Sequence, residues 1–202
     1  MTEYSRPFIL GLTGSIGMGK SAVASMLTDL GVPVFDADAA VHLLQGPGGA
    51  LLPAIEQAFP GTTGPMGVDR PRLGAAVFGD PDKLKLLEAI VHPAVAAERA
   101  GFLRAHAAAP LVVFDIPLLF EKGGAATVDA VAVASAPAQV QRERVLARPG
   151  MTEDKFAAIL KLQVPDAEKR ARADFIIDTG TSLGKTRSQV AGLVAQLLNQ
   201  RK

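Results

Sequence analysis

Two kinds of hydrophobic pattern alternate along most of this chain. In one, a short run of consecutive apolar residues is bounded by polar residues or glycine, as in buried β-strands. In the other, apolar residues recur every three to four positions, which is typical of amphipathic helices. Strands that alternate with helices predict an α/β fold. The predicted strands cover residues 8–13, 34–35, 111–115, 129–133 and 175–177, and the main predicted helices cover residues 22–30, 137–147, 152–163 and 183–200.

Residues 46–109 interrupt this alternation with helices and loops. Helices are predicted at 51–59, 71–78, 81–89 and 93–107, and the last three have proline in the first turn. Residues 60–67 are rich in glycine, proline and threonine, which predicts a surface loop. We interpret the region as an inserted lobe that binds a substrate. Arg70 and His92 are candidate contacts, although each alone is more typical of a solvated side chain, and His92-Pro93 is also typical of a helix N-terminus.

One glycine-rich segment carries the strongest chemical signal. It lies between the predicted strand 8–13 and the predicted helix 22–30, which is the order that a phosphate-binding loop requires. Its glycines let successive N–H groups turn towards an anion, its lysine reaches the β- and γ-phosphates, and its serine hydroxyl suits Mg²⁺. A glycine-rich turn that happens to end in Lys-Ser is the less favoured alternative. The segment is Gly14-Ser15-Ile16-Gly17-Met18-Gly19-Lys20-Ser21, which reads G-x-x-x-x-G-K-S.

Carboxylates follow two of the predicted strands. Asp36 and Asp38 come after the second strand, and in an extended chain they point to the same side. Open α/β sheets bind ligands at such strand ends, so we expect at least one of the two to act as a base or to hold a metal-bound water. One of them is also a candidate cap for a helix predicted at 39–45. Asp115 ends an apolar strand and is a candidate to support Mg²⁺ through water, although apolar runs that end in aspartate are common.

Two arginines mark a candidate anion site further along the chain. Arg144 and Arg148 are four residues apart, which places them on one face of a helix. Like charges repel mildly at that spacing, and a phosphate between them would reverse the sign of the interaction. A solvated basic face is the alternative.

Composition limits the remaining classes of function. The chain has 202 residues, of which 49% are hydrophobic and 20% are charged, so we expect one globular domain with a small inserted lobe. The formal net charge of +1 gives no argument for a nucleic-acid partner. The absence of cysteine excludes disulfides, thiolate metal sites and cysteine nucleophiles. No apolar stretch approaches the length of a membrane span, and we expect a cytoplasmic protein.

The chain resembles the dephospho-coenzyme A kinase family from residue 9 to about residue 196. The phosphate loop alone is shared by many families, whereas the other matching segments at these spacings are much more specific. Two positions depart from the family pattern. Ser15 stands where the family usually has glycine, and Thr179 stands where it more often has asparagine near a turn that contacts adenine. Besides the phosphate loop, the matching segments are Asp36-Ala37-Asp38, Asp69-Arg70, Val77-Phe78, His92-Pro93, Pro117-Leu118-Leu119-Phe120-Glu121, Arg144 to Arg148, Gln163 and Ala173-Asp174.

The resemblance implies a fold, a reaction and a set of roles. The family has a P-loop nucleotide-kinase fold, an α/β fold in which a five-stranded parallel sheet carries a helical CoA-binding lobe and a lid. It uses ATP to phosphorylate the ribose 3′-hydroxyl of dephospho-CoA, with Mg²⁺ as cofactor, in the last step of CoA synthesis. Asp38 then matches the catalytic base, and Arg144 and Arg148 match the lid arginines, which act with Lys20. Expected metal ligands are Ser21 with Asp36 or Asp115, and expected substrate contacts are Asp36, Asp38, Arg70, His92, Pro117 and Leu118.

The expected division of the chain follows from these matches. The core covers about 7–45, 110–140 and 173–200, the CoA-binding lobe about 46–109, and the lid about 141–172. We expect dephospho-CoA as a small-molecule partner and no obligate protein partner. Another P-loop kinase, of the nucleoside monophosphate or shikimate type, is the alternative. A GTP-binding switch is disfavoured because the chain has no Asp-x-x-Gly and its single asparagine is Asn199.

Overall fold

The structure, a computed structural model, describes residues 6–200 and contains a central five-stranded sheet. The sheet has the order β2-β5-β1-β6-β7, and a separate pair of short strands, β3 and β4, lies outside it. The α/β fold predicted from the hydrophobic pattern is confirmed. The strands are β1 Phe8–Thr13, β2 Val34–Asp36, β3 Thr63–Gly64, β4 Gly67–Val68, β5 Leu111–Asp115, β6 Ala130–Ser135 and β7 Phe175–Asp178.

Strand β1 lies in the middle of the sheet, and its register determines what the site contains. It pairs in parallel with β5 on one side and β6 on the other, and β6 pairs in parallel with β7. Leu12 of β1 is opposite Asp115 of β5. The segment that follows β1 therefore begins beside the carboxylate that ends β5, because carboxyl ends of parallel strands share one edge of a sheet.

Helices cover both faces of the sheet. Alternate residues of β6 belong to different apolar clusters, because side chains along a strand point to opposite faces. Ala132 packs in the cluster formed with α1 and α9, whereas Val131 and Val133 pack with Leu119 and Phe120 in the other cluster. The helices are α1 Lys20–Asp29, α2 Ala37–Gln45, α3 Leu52–Ala58, α4 Arg70–Val77, α5 Pro81–Ala105, α6 Ala138–Leu146, α7 Glu153–Lys161, α8 Asp166–Ala171 and α9 Leu183–Asn199, with a 3₁₀ turn at Gly124–Thr127.

The chain forms two compact units. The sheet unit comprises the residues up to Phe35 and from His106 onward, and the helical unit comprises Asp36–Ala105. The helical unit has its own apolar core, in which Leu44, Ile55 and Leu73 are buried. It includes α2, which the sequence prediction placed with the core. No helix within residues 6–200 is long and apolar enough to cross a membrane.

The sequence prediction of two helices over 81–89 and 93–107 is wrong. Helix α5 runs without interruption from Pro81 to Ala105, and Pro93 lies inside it. A proline inside a helix has no N–H group and forfeits one hydrogen bond to the preceding turn. The helix continues because Leu87 before Pro93 and Val95 after it pack against the same core of the helical unit.

The sequence prediction of an irregular loop over 60–67 is also incomplete. Strands β3 and β4 form a short antiparallel pair there, in which Thr63 is opposite Val68. Glu56 fixes the segment that leads into β3, because the Glu56 carboxylate accepts hydrogen bonds from the Gly61 N–H at 2.7 Å and the Thr63 hydroxyl at 2.6 Å. These hydrogen bonds lower the pKa of Glu56. The hydrophobic pattern does not predict β3 and β4, because hydrogen bonds to the polar side chain of Glu56 leave no trace in that pattern.

A buried ion pair joins the segment after β5 to α8. Lys169 is 0% exposed, and its Nζ lies 2.8 Å from Oε1 of Glu121. The same carboxylate oxygen accepts the Val164 N–H at 2.9 Å. Burial raises the pKa of Glu121, but Lys169 and the backbone N–H groups outweigh burial and hold this pKa below the ordinary value of 4.5. The ionised carboxylate therefore stabilises the fold above that pH, and its contribution is lost as pH falls through the lowered pKa.

Replacing Lys169 by methionine removes the cation and keeps most of the apolar stem. We expect Lys169→Met to lower the free energy of unfolding by about 3–5 kcal/mol at neutral pH, because Glu121 loses its counter-charge in a buried site. Urea denaturation followed by circular dichroism measures the change. Lys83→Met is the matched control, since Lys83 pairs with Asp80 on the exposed surface and such pairs contribute about 0–1 kcal/mol.

The pH dependence of the free energy of unfolding tests the contribution of Glu121 to the same ion pair. Glu121→Gln removes the titrating group, so the wild-type protein should lose more stability than this variant as the pH is lowered from about 5 to about 3. Equal losses in the two proteins, or a Lys169→Met variant as stable as Lys83→Met, would contradict a stabilising role for the pair.

Candidate active site

The backbone of the phosphate loop follows a path that only glycine permits at two positions. The loop joins β1 to α1, and Gly17 and Gly19 have φ angles of 78° and 80°, in the left-handed region. A Cβ atom at Gly17 would lie 2.5 Å from Cγ2 of Val145, and one at Gly14 would lie 2.7 Å from the carbonyl oxygen of Ala134. The glycines therefore allow both the turn and a close approach to β6 and α6.

Several N–H groups of the loop remain available to a ligand. In the part of the chain that the structure describes, the N–H groups of Gly17, Gly19, Lys20 and Ser21 donate to no protein acceptor. They lie at the N-terminus of α1, where the helix dipole also favours an anion. Ser15 is buried, and its hydroxyl oxygen has no hydrogen-bond partner among the described residues. This donor set fits a phosphate group.

The loop lysine and the carboxylate of β5 form an ion pair. Nζ of Lys20 contacts Oδ1 of Asp115, whose side chain is only 5% exposed. Ser21 is exposed in the first turn of α1, beside Lys20. The sheet unit therefore brings together the predicted phosphate contacts and one of the two predicted metal-supporting carboxylates, Asp115. No group of three or more histidine, aspartate or glutamate side chains that could hold a metal alone occurs in residues 6–200.

Side chains from three other segments hold the loop in place. Gln163 Oε1 accepts the Ile16 N–H at 3.1 Å, and Gln141 Nε2 donates to the Ile16 carbonyl at 2.8 Å. The hydroxyl of Thr179 donates to the Met18 carbonyl at 2.8 Å. Sequence analysis missed these contacts. Gln163 and Thr179 were noted only for family resemblance, and Gln141 carries no signal beyond being a polar residue on a predicted helix.

Thr179 also connects the loop to one of the predicted lid arginines. Arg144 donates through Nη1 to the Thr179 hydroxyl at 3.2 Å and through Nη2 to the Thr179 carbonyl at 2.7 Å. Thr179 is only 5% exposed. Its hydroxyl, at the position where the family more often has asparagine, is thus engaged by the protein's own loop.

The prediction that Arg144 and Arg148 share a helical face is wrong. Helix α6 ends at Leu146, and the chain turns at Arg148, whose N–H donates to the carbonyl of Val145 at 3.1 Å. Pro149 and Gly150 follow directly, and neither favours continuation of a helix. Arg148 therefore lies beyond the end of the helix that carries Arg144, and it is exposed.

In the helical unit, Asp36 caps a helix. The sequence alone did not decide whether Asp36 or Asp38 has this role. Oδ1 of Asp36 accepts the Ala39 N–H at 2.9 Å, and α2 begins at Ala37. Asp38 is therefore in the first turn of a helix and not in an extended chain. The prediction that both carboxylates point the same way by strand periodicity is wrong for this reason. Asp38 is exposed.

His42 is a further polar residue that sequence analysis missed. Its Nδ1 lies 2.8 Å from the Asp38 carbonyl, and its Nε2 lies 2.7 Å from Nη1 of Arg70. Because a carbonyl accepts and a guanidinium donates, Nδ1 carries the proton and Nε2 accepts. The spacing of four residues between Asp38 and His42 on a helix was the available signal.

The remaining predicted substrate contacts lie in both units. In the helical unit, His92 is exposed within α5, so the helix N-terminus proposed for His92-Pro93 is wrong. In the sheet unit, the Pro117 carbonyl accepts the Thr13 hydroxyl at 3.1 Å, which ties the segment after β5 to the end of β1. Leu118 follows with 37% of its surface exposed.

Comparison with known proteins gives a consistent assignment. The sequence profile described as dephospho-CoA kinase matches residues 8–184. The chain is 73% identical over 190 residues to the dephospho-CoA kinase of Novosphingobium aromaticivorans, covering 94% of each chain. It is 56% identical over 195 residues to that of Mesorhizobium japonicum, covering 96% of this chain and 98% of the relative. The chain in the crystal structure of TT1252 from Thermus thermophilus is 36% identical to this one, with a TM-score of 0.82 over 95% of this chain and 98% of that one.

These matches favour dephospho-CoA kinase over the other P-loop kinases considered from the sequence. The chain therefore belongs to the dephospho-CoA kinase family and phosphorylates dephospho-CoA to give coenzyme A.

Proposed function

We propose that the phosphate loop holds the triphosphate of ATP while the γ-phosphoryl group is transferred to the ribose 3′-hydroxyl. The family is a kinase family, which implies ATP as the phosphoryl donor. The observation that carries the proposal is the set of loop N–H groups, those of Gly17, Gly19, Lys20 and Ser21, that have no protein acceptor within residues 6–200. Such N–H groups at a helix N-terminus bind phosphate oxygens without any rearrangement of the backbone.

Lys20 has to change partner when the triphosphate binds. Its ammonium group pairs with Asp115, and a phosphate would compete with that carboxylate for the same charge. Asp115 and the Ser21 hydroxyl are the groups that would hold Mg²⁺ there, Asp115 through water. Mg²⁺, when bound, neutralises charge that develops on the β- and γ-phosphates. Asp36 keeps one carboxylate oxygen beyond its helix cap and is the second candidate to hold a metal-bound water.

Asp38 is the proposed general base. Its carboxylate is exposed and has no hydrogen bond in the part of the chain described, which leaves it available to a hydroxyl. The 3′-oxygen forms a bond to the γ-phosphorus, the bond from this phosphorus to the β,γ-bridging oxygen breaks, and the hydroxyl proton passes to Asp38. This assignment is supported by the family resemblance and by the position of Asp38 two residues beyond β2.

Arginines stabilise the charge that spreads over the transferred group in this proposal. Arg144 is held by Thr179 beside the phosphate loop, and Arg148 is exposed on the segment that follows α6. Arg70 and His92 of the helical unit, and Pro117 and Leu118 of the sheet unit, are the proposed contacts of dephospho-CoA. The predicted lid over 141–172, the cytoplasmic location and the absence of an obligate protein partner stay predictions.

Lys20→Ala tests the role of the phosphate loop. We expect turnover, measured as ADP release in the presence of dephospho-CoA, to fall by about 10²–10³-fold, because one preorganised positive charge is lost. The unfolding temperature should also fall, because the buried Asp115 loses the Lys20 ammonium group, so turnover is measured at a temperature where circular dichroism shows the variant to be folded. Lys85→Ala, on the surface of α5, is the control and should keep wild-type turnover. A folded Lys20→Ala variant with near-normal turnover would contradict the proposal.

Asparagine substitutions separate the roles of Asp36 and Asp38. Asp38→Asn removes the proton acceptor and should lower turnover by about 10²–10⁴-fold with little change in ATP affinity. Asp36→Asn keeps a side chain that can cap α2 and should instead raise the Mg²⁺ concentration needed for half-maximal rate. Turnover is measured against Mg²⁺ for both variants. Rescue of Asp38→Asn, but not of Asp36→Asn, by high Mg²⁺ would show that the two roles are exchanged.

A further inference from the structure

Two glutamines hold the two backbone polar groups of one residue in the phosphate loop. The Ile16 N–H donates to Oε1 of Gln163 at 3.1 Å, and the Ile16 carbonyl accepts from Nε2 of Gln141 at 2.8 Å. Gln141 lies on α6 and is only 6% exposed. Gln163 follows the end of α7 and is half-buried. The two side chains come from different segments, so two separate parts of the chain hold this residue of the loop.

The chemistry of the backbone decides which end of each amide faces Ile16. An N–H group can only donate and a carbonyl oxygen can only accept. Gln163 therefore presents its oxygen to the loop, and Gln141 presents its amino group. The two residues are identical in type but opposite in role, which makes them separable by experiment.

Gln163 is itself held by a buried structure. The next residue, Val164, donates its N–H to Glu121 at 2.9 Å, and Glu121 pairs with the buried Lys169 at 2.8 Å. The Gln163 N–H donates to the Leu160 carbonyl at 3.1 Å. Its side chain is thus attached to a fixed segment, and the hydrogen bond to Ile16 costs little additional ordering.

The two hydrogen bonds fix two successive peptide planes. A peptide plane joins the carbonyl of one residue to the N–H of the next. Gln141, through the Ile16 carbonyl, therefore fixes the direction of the Gly17 N–H, which is one of the groups with no protein acceptor in the described chain. Gln163 fixes the preceding plane, whose Ser15 carbonyl accepts the Met18 N–H at 3.1 Å. Without the Gln141 contact, the conformational freedom of Gly17 would let the peptide plane between Ile16 and Gly17 rotate at low cost.

We propose that Gln141 and Gln163 are positioning residues that aim the Gly17 N–H at the nucleotide phosphates. The inference rests on the proposed binding of ATP by the loop and adds two residues to it. Because the loop holds the same phosphates before and during transfer, loss of either glutamine contact weakens ATP binding more than it slows the chemical step. The binding of dephospho-CoA is not affected.

The experiment compares glutamate and methionine at each position in the full-length enzyme. Methionine keeps the length of the side chain and removes both polar groups. Glutamate keeps an acceptor oxygen, which position 163 needs, and removes the donor, which position 141 needs. A carboxylate near the phosphates also repels ATP, so any advantage of glutamate over methionine at position 163 is measured against that repulsion. Gln139→Met is the control, since Gln139 is exposed on the same helix and bonds to Glu143.

We expect Gln163→Met and Gln141→Met to raise the KM for ATP about tenfold, which corresponds to the loss of one hydrogen bond. The KM for dephospho-CoA should stay within about twofold of wild type, and Gln139→Met should change neither. Gln163→Glu should restore a KM for ATP below that of Gln163→Met, whereas Gln141→Glu should be no better than Gln141→Met. A merely structural role would lower the active fraction, and hence the apparent kcat, without this selective change in KM.

ATP binding measured by calorimetry separates failure of this inference from failure of the proposed function. A wild-type enzyme that does not bind ATP would overturn both. Normal binding by wild type together with an unchanged KM for ATP in a folded Gln163→Met variant would overturn the inference alone. Gln163 is half-buried, so its variants carry the test if the buried Gln141 cannot be replaced without unfolding.

Discussion

The phosphate loop has to keep part of its backbone unpaired and still hold one shape. Other backbone polar groups of the loop meet this constraint because they form hydrogen bonds with side chains from other parts of the protein. Ile16 is bonded through both its N–H and its carbonyl, and the Met18 carbonyl is bonded to Thr179. The free N–H groups are therefore aimed by their neighbours and do not need to be ordered by the ligand. A site that is ordered beforehand loses less conformational entropy on binding.

Most of the sheet unit around the loop serves this constraint. The apolar clusters fix β1 and α1, so the two ends of the loop cannot separate. The backbone of the loop packs closely against β6 at Gly14, which fixes the position of the start of the loop. The ion pair between Glu121 and Lys169 holds the segment that carries Gln163. Lys20 completes the site with a positive charge that Asp115 balances. The ion pair that stabilises the fold is thus connected to the phosphate loop through Val164 and Gln163.

The hydrophobic pattern predicted β1 and β5 with their observed limits, and the glycine-rich segment between β1 and α1 predicted the phosphate loop, because these features depend on neighbouring residues in the chain. Features that depend on contacts between distant segments were not predictable in this way. Pro93 looked like a helix start, but packing on both sides carries the helix through it. The sequence offered either Asp36 or Asp38 as a helix cap, and only the contact of Asp36 with the Ala39 N–H shows that α2 begins at Ala37 and includes Asp38. Gln141 had no signal, since its partner lies 125 residues away.

Residue-resolved hydrogen exchange of the backbone amides tests the central claim, that the loop is formed before nucleotide binds. Without nucleotide, the amides of Ile16 and Met18 should exchange slowly, and those of Gly17, Gly19, Lys20 and Ser21 should exchange fast. Saturating ATP with Mg²⁺ should protect these four and leave Ile16 and Met18 unchanged. The account would be contradicted if Ile16 and Met18 exchanged as fast as the other four before ATP is added and became protected only with it.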